Sequence, residues 1–272
     1  MSANTPLRSA PGLPLKISNV SKSFATNRDV RPVLTDISIT VNRGEFVSLI
    51  GPSGCGKSTL FNILAGLDRA DSGEVVIDGV TLPLTGSAKR FRHRAAHCAY
   101  MPQDDVLFPW RTVLDNAILG LQIAGTGRAE ARARARDLFP AFGLTGFEDA
   151  HPEHLSGGMR QRVALLRTVL QGTNTLLLDE PFGALDSLTR TDMQDWLHGM
   201  WRDMGWTILL ITHDIREAVR LSDRVIALTP RPASVRGIIE LSRPRGDGFE
   251  PSITSQEMMR AETTLTTLLH NT

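Results

Sequence analysis

The sequence is poor in cysteine, in tyrosine and in net charge, and each shortage excludes a class of protein. Two cysteines in 272 residues provide no disulfide framework, which favours a reducing compartment. One tyrosine and four tryptophans argue against an aromatic surface that stacks on nucleic-acid bases. The formal net charge of +1 creates no field that would gather nucleic acid, so no nucleic-acid partner is expected.

Long hydrophobic runs are also missing. The strongest ones, residues 175–178 and 207–211, have the length of a strand and fall well short of the roughly 20 apolar residues that cross a bilayer. Residues 1–14 contain small residues and proline but no apolar segment of a secretion signal, and we interpret them as a flexible N-terminus. Residues 15–272 are predicted to form one α/β domain.

A glycine-rich loop at residues 51–59 matches the phosphate-binding pattern G-x-x-x-x-G-K-[ST]. A buried strand is predicted before it at 45–50, and a helix after it that stops at Gly66, in the order the motif requires. The matching residues are Gly51, Pro52, Ser53, Gly54, Cys55, Gly56, Lys57, Ser58 and Thr59.

The chemistry of a triphosphate explains these residue types. Glycines let backbone N–H groups approach the phosphates, the helix N-terminus adds positive potential, and the Lys57 ammonium reaches the terminal phosphates. The Ser58 hydroxyl is suited to ligate Mg²⁺. Cys55 occupies a free position of the motif and is interpreted as filler, with a redox role as the alternative.

Two adjacent acids, Asp179 and Glu180, follow the apolar run at 175–178. Because strand residues alternate, we expect their side chains to point in different directions. Asp179 is predicted to help hold Mg²⁺, and Glu180 to orient and deprotonate an attacking water. His213 follows the strand predicted at 207–212, where an imidazole can bond both a terminal phosphate and the general base.

A second anion-binding helix terminus is predicted at Ser156, Gly157 and Gly158. Ser156 is a natural N-cap and the two glycines expose the first N–H groups of the helix. Two phosphate sites far apart in one chain require an explanation that spacing alone does not provide.

Three other features leave alternatives open from the residues alone. Phe24, in an alternating strand at 16–24, is either a face that stacks on a base or an ordinary residue of an antiparallel flap. Gln103, after a short strand and a proline, taken alone would be a solvated loop residue. Residues 104–170 are predicted to form an inserted helical subdomain, in which the arginine-rich run 128–136 is a solvated face containing a Glu130–Arg134 pair.

The chain resembles the ATPase subunit of an ABC transporter over nearly its whole length. The features that carry the resemblance are the phosphate loop, Gln103, the Ser-Gly-Gly signature, the Asp-Glu strand end, Asp186 and His213. The resemblance implies a RecA-like P-loop NTPase core with an antiparallel β flap and an inserted helical subdomain. It implies a head-to-tail homodimer, in which each ATP lies between the Lys57 loop of one subunit and Ser156 and Gly158 of the other.

The same resemblance implies a role for each site residue. Phe24 stacks on adenine; the nucleotide-binding set also contains Val33, the loop 51–59, Ser156, Gly157, Gly158 and Asp186. The residues that would bind Mg²⁺ are Ser58, Gln103 and Asp179. Glu180 is the catalytic base, assisted by His213, Lys57 and Gln103. Asp186 links the two sites.

Further implied partners are a membrane permease, whose coupling helix sits near Gln103 and Trp110, and indirectly a solute-binding protein. The chain would then be peripheral, on the cytoplasmic face of the membrane. Residues 107–116 and 179–186 are similar to importers of nitrate, sulfonates, taurine or a thiamine precursor, and Leu166-Arg167-Thr168 favours the last type. An ABC exporter ATPase, a soluble ABC ATPase without a permease, and a scaffold that binds ATP without hydrolysing it are the alternatives.

Overall fold

The computed structural model describes residues 14–25, 29–82, 97–241 and 255–270. Residues 1–13 of the predicted flexible N-terminus therefore lie outside the described part. The strands are β1 (Leu15–Ala25), β2 (Val30–Val41), β3 (Phe46–Ile50), β4 (Ser72–Ile77), β5 (Val80–Leu82), β6 (Ala99–Met101), β7 (Thr175–Asp179), β8 (Thr207–Ile211), β9 (Arg224–Leu228) and β10 (Val235–Glu240). The helices are α1 (Lys57–Ala65), α2 (Val113–Ala117), α3 (Leu119–Ile123), α4 (Arg128–Leu138), α5 (Gly157–Val169), α6 (Ser187–Met204), α7 (Ile215–Leu221) and α8 (Ser255–His270).

A six-stranded sheet in the order β10-β9-β3-β8-β7-β6 forms the centre of the described fold. All its pairings are parallel except that of β10 with β9. Every residue of β3, β7 and β8 is buried, which explains why these strands are continuous apolar runs without alternation. Their carboxyl ends therefore lie side by side at one edge of the sheet, where ligands bind in such folds.

A four-stranded antiparallel sheet, in the order β2-β1-β4-β5, lies beside the phosphate loop. It corresponds to the flap predicted from alternating residues, and its inward side chains, among them Leu15, Ile17 and Ile39, join Val47, Leu49 and the apolar face of α1 in one buried cluster. The flap and the central sheet thus share a core.

The segment between β6 and β7 is helical, as predicted, and contains α2, α3, α4 and α5. The predicted Glu130–Arg134 ion pair is present on α4. Asn116, which is 0% exposed, accepts a hydrogen bond from the Phe108 backbone N–H and donates to the carbonyl oxygens of Phe108, Arg111 and Thr112. One buried amide therefore fixes the loop that carries Trp110.

Helix α7 contains an unusual buried acid, Glu217. Its carboxylate accepts a hydrogen bond of 3.0 Å from Gln194 Nε2 on α6 and is 5% exposed. Burial raises the pKa of Glu217 to about 7, although hydrogen bonds with Thr212 and Gln194 act in the opposite direction.

This raised pKa predicts how stability depends on pH. A carboxyl whose pKa is higher in the folded state than in the unfolded state stabilises the fold most at pH values below its unfolded pKa. This contribution to the free energy of unfolding is lost as the pH rises through the folded pKa. The contribution of Glu217 to the free energy of unfolding should fall by about 2 kcal/mol between pH 5 and pH 8. Urea denaturation of wild type and Glu217→Gln over that range measures it, and the variant should show the smaller decrease. An identical pH dependence in the two proteins would contradict the prediction.

Candidate functional site

A cleft of about 460 Å³ lies where the phosphate loop meets the carboxyl ends of β6, β7 and β8. Its lining consists of Ser53, Gly54, Gly56, Lys57, Ser58, Thr59, Gln103, Glu180, His213 and Arg231. Most of the catalytic and metal-binding residues predicted from sequence are therefore brought to one place.

The phosphate loop requires glycine at position 56 for two reasons. Gly56 has φ +129°, and a Cβ there would lie 2.8 Å from Leu34 Cδ2 and 3.0 Å from Val33 Cγ1. The flap strand β2 thus packs directly against the loop. The Lys57 ammonium donates hydrogen bonds of 2.7 Å to the Gly51 carbonyl and 3.2 Å to the Pro52 carbonyl. The loop carbonyls consequently hold the lysine at the base of the cleft.

Asp179 ends β7 below the cleft and is hydrogen-bonded with two hydroxyl groups. Its partners are the Ser58 side chain and Tyr100, whose hydroxyl donates to Asp179 Oδ2 over 3.3 Å. Burial is the main cause that raises the pKa of Asp179, while the hydrogen bonds with Ser58 and Tyr100 and the charge of Lys57 lower it. A desolvated acid beside a hydroxyl is an oxygen donor set suited to a hard cation.

Glu180 follows β7, which ends at Asp179, so a turn and not the alternation of the strand sets the direction of its side chain. Glu180 adopts a left-handed backbone with φ +45°, held by a 2.9 Å hydrogen bond from its N–H to the Ile211 carbonyl. Such a conformation is strained for a residue other than glycine, and strain of this kind concentrates at functional sites. The turn directs the carboxylate into the cleft.

Two predicted residues converge on that carboxylate. His213 Nδ1 lies 3.1 Å from Glu180 Oε2, and Gln103 Nε2 donates to the same oxygen over 3.3 Å. The side chains come from the ends of three strands, β6, β7 and β8. This arrangement can hold a water or a phosphate oxygen next to a general base.

The signature residues form a second cluster, none of whose residues lines this cleft. Ser156 caps α5 by accepting a hydrogen bond from the Met159 N–H, and a Cβ on Gly158 would lie 2.8 Å from Thr189 Cγ2. Asp186 caps the adjacent helix α6, and its hydrogen bonds with Thr189 lower its pKa. Ser156, Gly157, Gly158 and Asp186 thus lie near one another, apart from the phosphate loop.

Phe24 is not a buried flap residue, since its side chain is 42% exposed, and it does not line the cleft either. The Lys22 ammonium sits 4.8 Å from its ring centroid. Val33 contacts Gly56, as described above. Cys55 is 2% exposed and packs beneath the loop, near Gly51.

Sequence analysis missed several residues of the site. Arg231 lines the cleft from the turn between β9 and β10, Tyr100 contacts Asp179, and Asn116 orders the loop 108–112. The signal for Tyr100 was a hydroxyl-bearing side chain within the short apolar strand β6. Arg231 carried none, because its position depends on how β9 pairs with β3.

Comparison with known proteins identifies the family. A family model described as "ABC transporter" matches residues 34–183. An aliphatic sulfonates import ATP-binding protein of Pseudomonas aeruginosa is 44% identical over 244 residues, which cover 90% of this chain and 82% of the relative. A formylaminopyrimidine import ATP-binding protein of Halalkalibacterium halodurans is 44% identical over 85% of this chain and 84% of its own. A taurine import ATP-binding protein of Burkholderia thailandensis is 43% identical over 79% and 80%.

Solved structures give the same result. A dimeric, post-hydrolysis ATP-binding cassette bound to ADP and phosphate superposes with a TM-score of 0.73 at 31% identity, covering 84% of this chain and 99% of that one. A second dimeric structure of the same cassette, described as a bacterial ABC transporter cassette, matches with the same TM-score at 32% identity. The fold class predicted from sequence is confirmed. In the described part of the chain, the helices are too short or too polar to span a bilayer.

The space around the loop glycines predicts which substitution the fold tolerates. Gly56→Ala should lower the free energy of unfolding by about 2–4 kcal/mol, because the methyl group meets Leu34 and Val33 and the backbone is unfavourable for alanine. Gly54→Ala is the matched control: its φ is +73° but no atom lies within 4 Å of the added Cβ, so about 1 kcal/mol is expected. Denaturant unfolding measures both, and equal losses would refute the packing argument.

Proposed function

The chain belongs to the ABC transporter family and is an ATP-hydrolysing cassette, and we propose that it powers import as a homodimer attached to a separate membrane permease. The observation that carries the proposal is the separation of two anion-binding clusters within one chain. The Lys57 loop and Glu180 line a cleft, whereas Ser156 and Asp186 lie outside it. A single chain therefore leaves the second cluster without a ligand.

A two-fold dimer gives that cluster a role. Each ATP would lie between the phosphate loop of one subunit and the α5 N-terminus of the other, where the first N–H groups of α5, at Gly157 and Gly158, would meet the terminal phosphate. One similar cassette has been solved as a dimer in two structures, one of them with ADP and phosphate bound. That similarity supports a shared active site.

Within each site we assign general-base catalysis to Glu180. Its carboxylate takes the proton of the attacking water, while His213 and Gln103, both on Oε2, orient the carboxylate and face the terminal phosphate. Lys57 and the loop N–H groups neutralise the charge that develops on the phosphate oxygens. Positioning and electrostatics supply the rate acceleration.

The residues fit a magnesium ion held mainly by its substrate. In the part of the chain that the structure describes, no cluster of three or more histidine, cysteine or acidic side chains forms a protein cage. Ser58, Gln103 and Asp179 instead offer a hydroxyl, an amide and one carboxylate, the partial set that Mg²⁺ uses when phosphates complete its shell. When bound there, Mg²⁺ would supply charge neutralisation at the β- and γ-phosphates.

The proposed permease site lies on the loop after Gln103. Trp110 is 71% exposed and Val106 is 54% exposed, and the Phe108 and Trp110 rings pack with centroids 5.1 Å apart. An exposed tryptophan packed on a half-buried phenylalanine, on a loop anchored from inside by Asn116, is suited to a short amphipathic helix of a partner. Docking there would place the chain at the cytoplasmic face of the membrane as a peripheral subunit.

The transported solute is proposed to be small and to belong to the classes named for the relatives: an aliphatic sulfonate, taurine or a formylaminopyrimidine. A solute-binding protein would deliver it to the permease. Identities of 43–44% to all three kinds of importer support the common class without separating its members. Uptake assays of the assembled transporter with these three solutes, compared in competition, would distinguish them.

Loss of the base tests the catalytic assignment. Glu180→Gln should lower kcat for ATP about 10²- to 10⁴-fold, since the amide cannot accept the proton but keeps the shape and the contacts of the carboxylate. ATP binding should persist, and an ATP-bound dimer should accumulate in size-exclusion chromatography. Glu240→Gln, an exposed acid on β10, is the control with the same charge change. Normal hydrolysis by Glu180→Gln would remove Glu180 as the base.

A bulky residue in the second cluster tests the shared site. Ser156→Arg should leave binding of ATP to the monomer within about twofold of wild type, but should reduce hydrolysis at least about 100-fold by blocking the partner's terminal phosphate. Ala133→Arg on the exposed face of α4 is the matched control. Mixing the Ser156→Arg chain with a Lys57→Ala chain distinguishes the models further, because a shared site restores one intact composite site per heterodimer. Full activity of Ser156→Arg alone would exclude the dimer mechanism.

A further inference from the structure

Arg231 lies on the turn between β9 and β10 and reaches the phosphate loop. Its Nη2 donates a 2.7 Å hydrogen bond to the Gly54 carbonyl, and its side chain lines the cleft. We propose that Arg231 is a further nucleotide-binding residue, whose guanidinium supplies positive charge to the polyphosphate. The proposal rests on the ATPase function assigned above and adds a residue outside the predicted motifs.

The turn that carries Arg231 is fixed on both sides. Within the turn, the Thr229 N–H donates to the Ser234 carbonyl over 3.0 Å, and the Ser234 N–H donates to the Thr229 hydroxyl over 2.9 Å. Across to the flap, the Ala233 N–H donates to the Val33 carbonyl and the Thr35 N–H donates to the Ala233 carbonyl, both at 2.8 Å. The arginine therefore extends from backbone that is already ordered by β2.

The charges in the cleft show why a second cation matters. Among the side chains that line it, Lys57 and Arg231 are permanently positive and Glu180 is an acid. Without Arg231, the formal charges of Lys57 and Glu180 cancel, and only the loop N–H groups and the helix N-terminus remain to attract a polyanion. The bond to Gly54 uses one of the five N–H donors of the guanidinium, so others are available to phosphate oxygens.

The hydrogen bond to Gly54 also directs the charge. Gly54 has φ +73°, lines the cleft beside Gly56 and Lys57, and accepts the hydrogen bond from Arg231 with its carbonyl oxygen. A guanidinium bound to that carbonyl stays at the rim of the loop. Charge-assisted hydrogen bonds to phosphate are the strong contacts of this kind of site, and arginine forms them with a planar donor geometry.

Affinities for nucleotides of different charge test the proposal. Arg231→Gln keeps a polar side chain with N–H donors but removes the charge, and Arg231→Lys keeps the charge. We expect Arg231→Gln to lower the affinity for a non-hydrolysable ATP analogue about tenfold, measured by calorimetric titration with Mg²⁺. The affinity for ADP should fall less, and the affinity for AMP should change less than about twofold. Arg231→Lys should recover most of the affinity, and raising the salt concentration should narrow the gap between wild type and Arg231→Gln.

Arg136→Gln, an exposed arginine on α4 outside the cleft, controls for the loss of one positive charge and should bind all three nucleotides like wild type. If Arg231→Gln lowered the affinity for the analogue, ADP and AMP equally, the residue would have a structural role and the proposal would be overturned. Unchanged affinity in Arg231→Gln, or failure of Arg231→Lys to recover binding, would also overturn it. Wild type that does not bind the analogue would instead contradict the proposed function itself.

Discussion

The parallel pairing of β7 with β8 determines the geometry on which the rest of the site depends. That pairing ends at Asp179 opposite Ile211, and the next hydrogen bond, from the Glu180 N–H to the Ile211 carbonyl, holds Glu180 in a left-handed conformation. His213, two residues beyond Ile211, then meets the Glu180 carboxylate. A shift of one residue in this register would move the end of one strand about 3.3 Å relative to the other and separate Glu180 from His213.

The same constraint explains why the described chain contains two clusters. Strands of a parallel sheet present their carboxyl ends at one edge, which gathers the loop, Asp179, Glu180 and His213. Ser156 and Asp186 instead cap helices α5 and α6, whose N-termini meet where Gly158 contacts Thr189. Helix capping orders the second cluster independently of the sheet edge, so different elements of the fold position the two clusters.

Much of this arrangement could be predicted from local sequence patterns, whereas features that depend on contacts between distant residues could not. The loop at 51–59, the apolar strands and the Ser156 cap follow from spacing and residue type, so β3, β7, β8, α1 and the start of α5 could be placed. Helices α6 and α7 were missed because acids and arginines, which are paired or buried in the fold, interrupt their apolar positions. Glu217 is an example, since it is buried and accepts a hydrogen bond from Gln194. The turn at Glu180 depends on the hydrogen bond from its N–H to the Ile211 carbonyl, and the position of Arg231 depends on the pairing of β9 with β3. Neither contact leaves a pattern in the local sequence.

One loop connects both clusters with the proposed permease surface. Gln103 contacts Glu180, and two residues later the Asp105 carboxylate accepts a 3.1 Å hydrogen bond from Arg160 on α5. Arg167, also on α5, donates to the backbone carbonyls of Asp105 and Val106. A partner helix seated on Val106 and Trp110 would therefore act on α5 and on the Glu180 carboxylate, the proposed base, through the same few residues. Because α5 is a rigid helix whose N-terminus is the second cluster, displacement of the loop would carry that cluster with it, and transport and hydrolysis would be coupled without a separate relay.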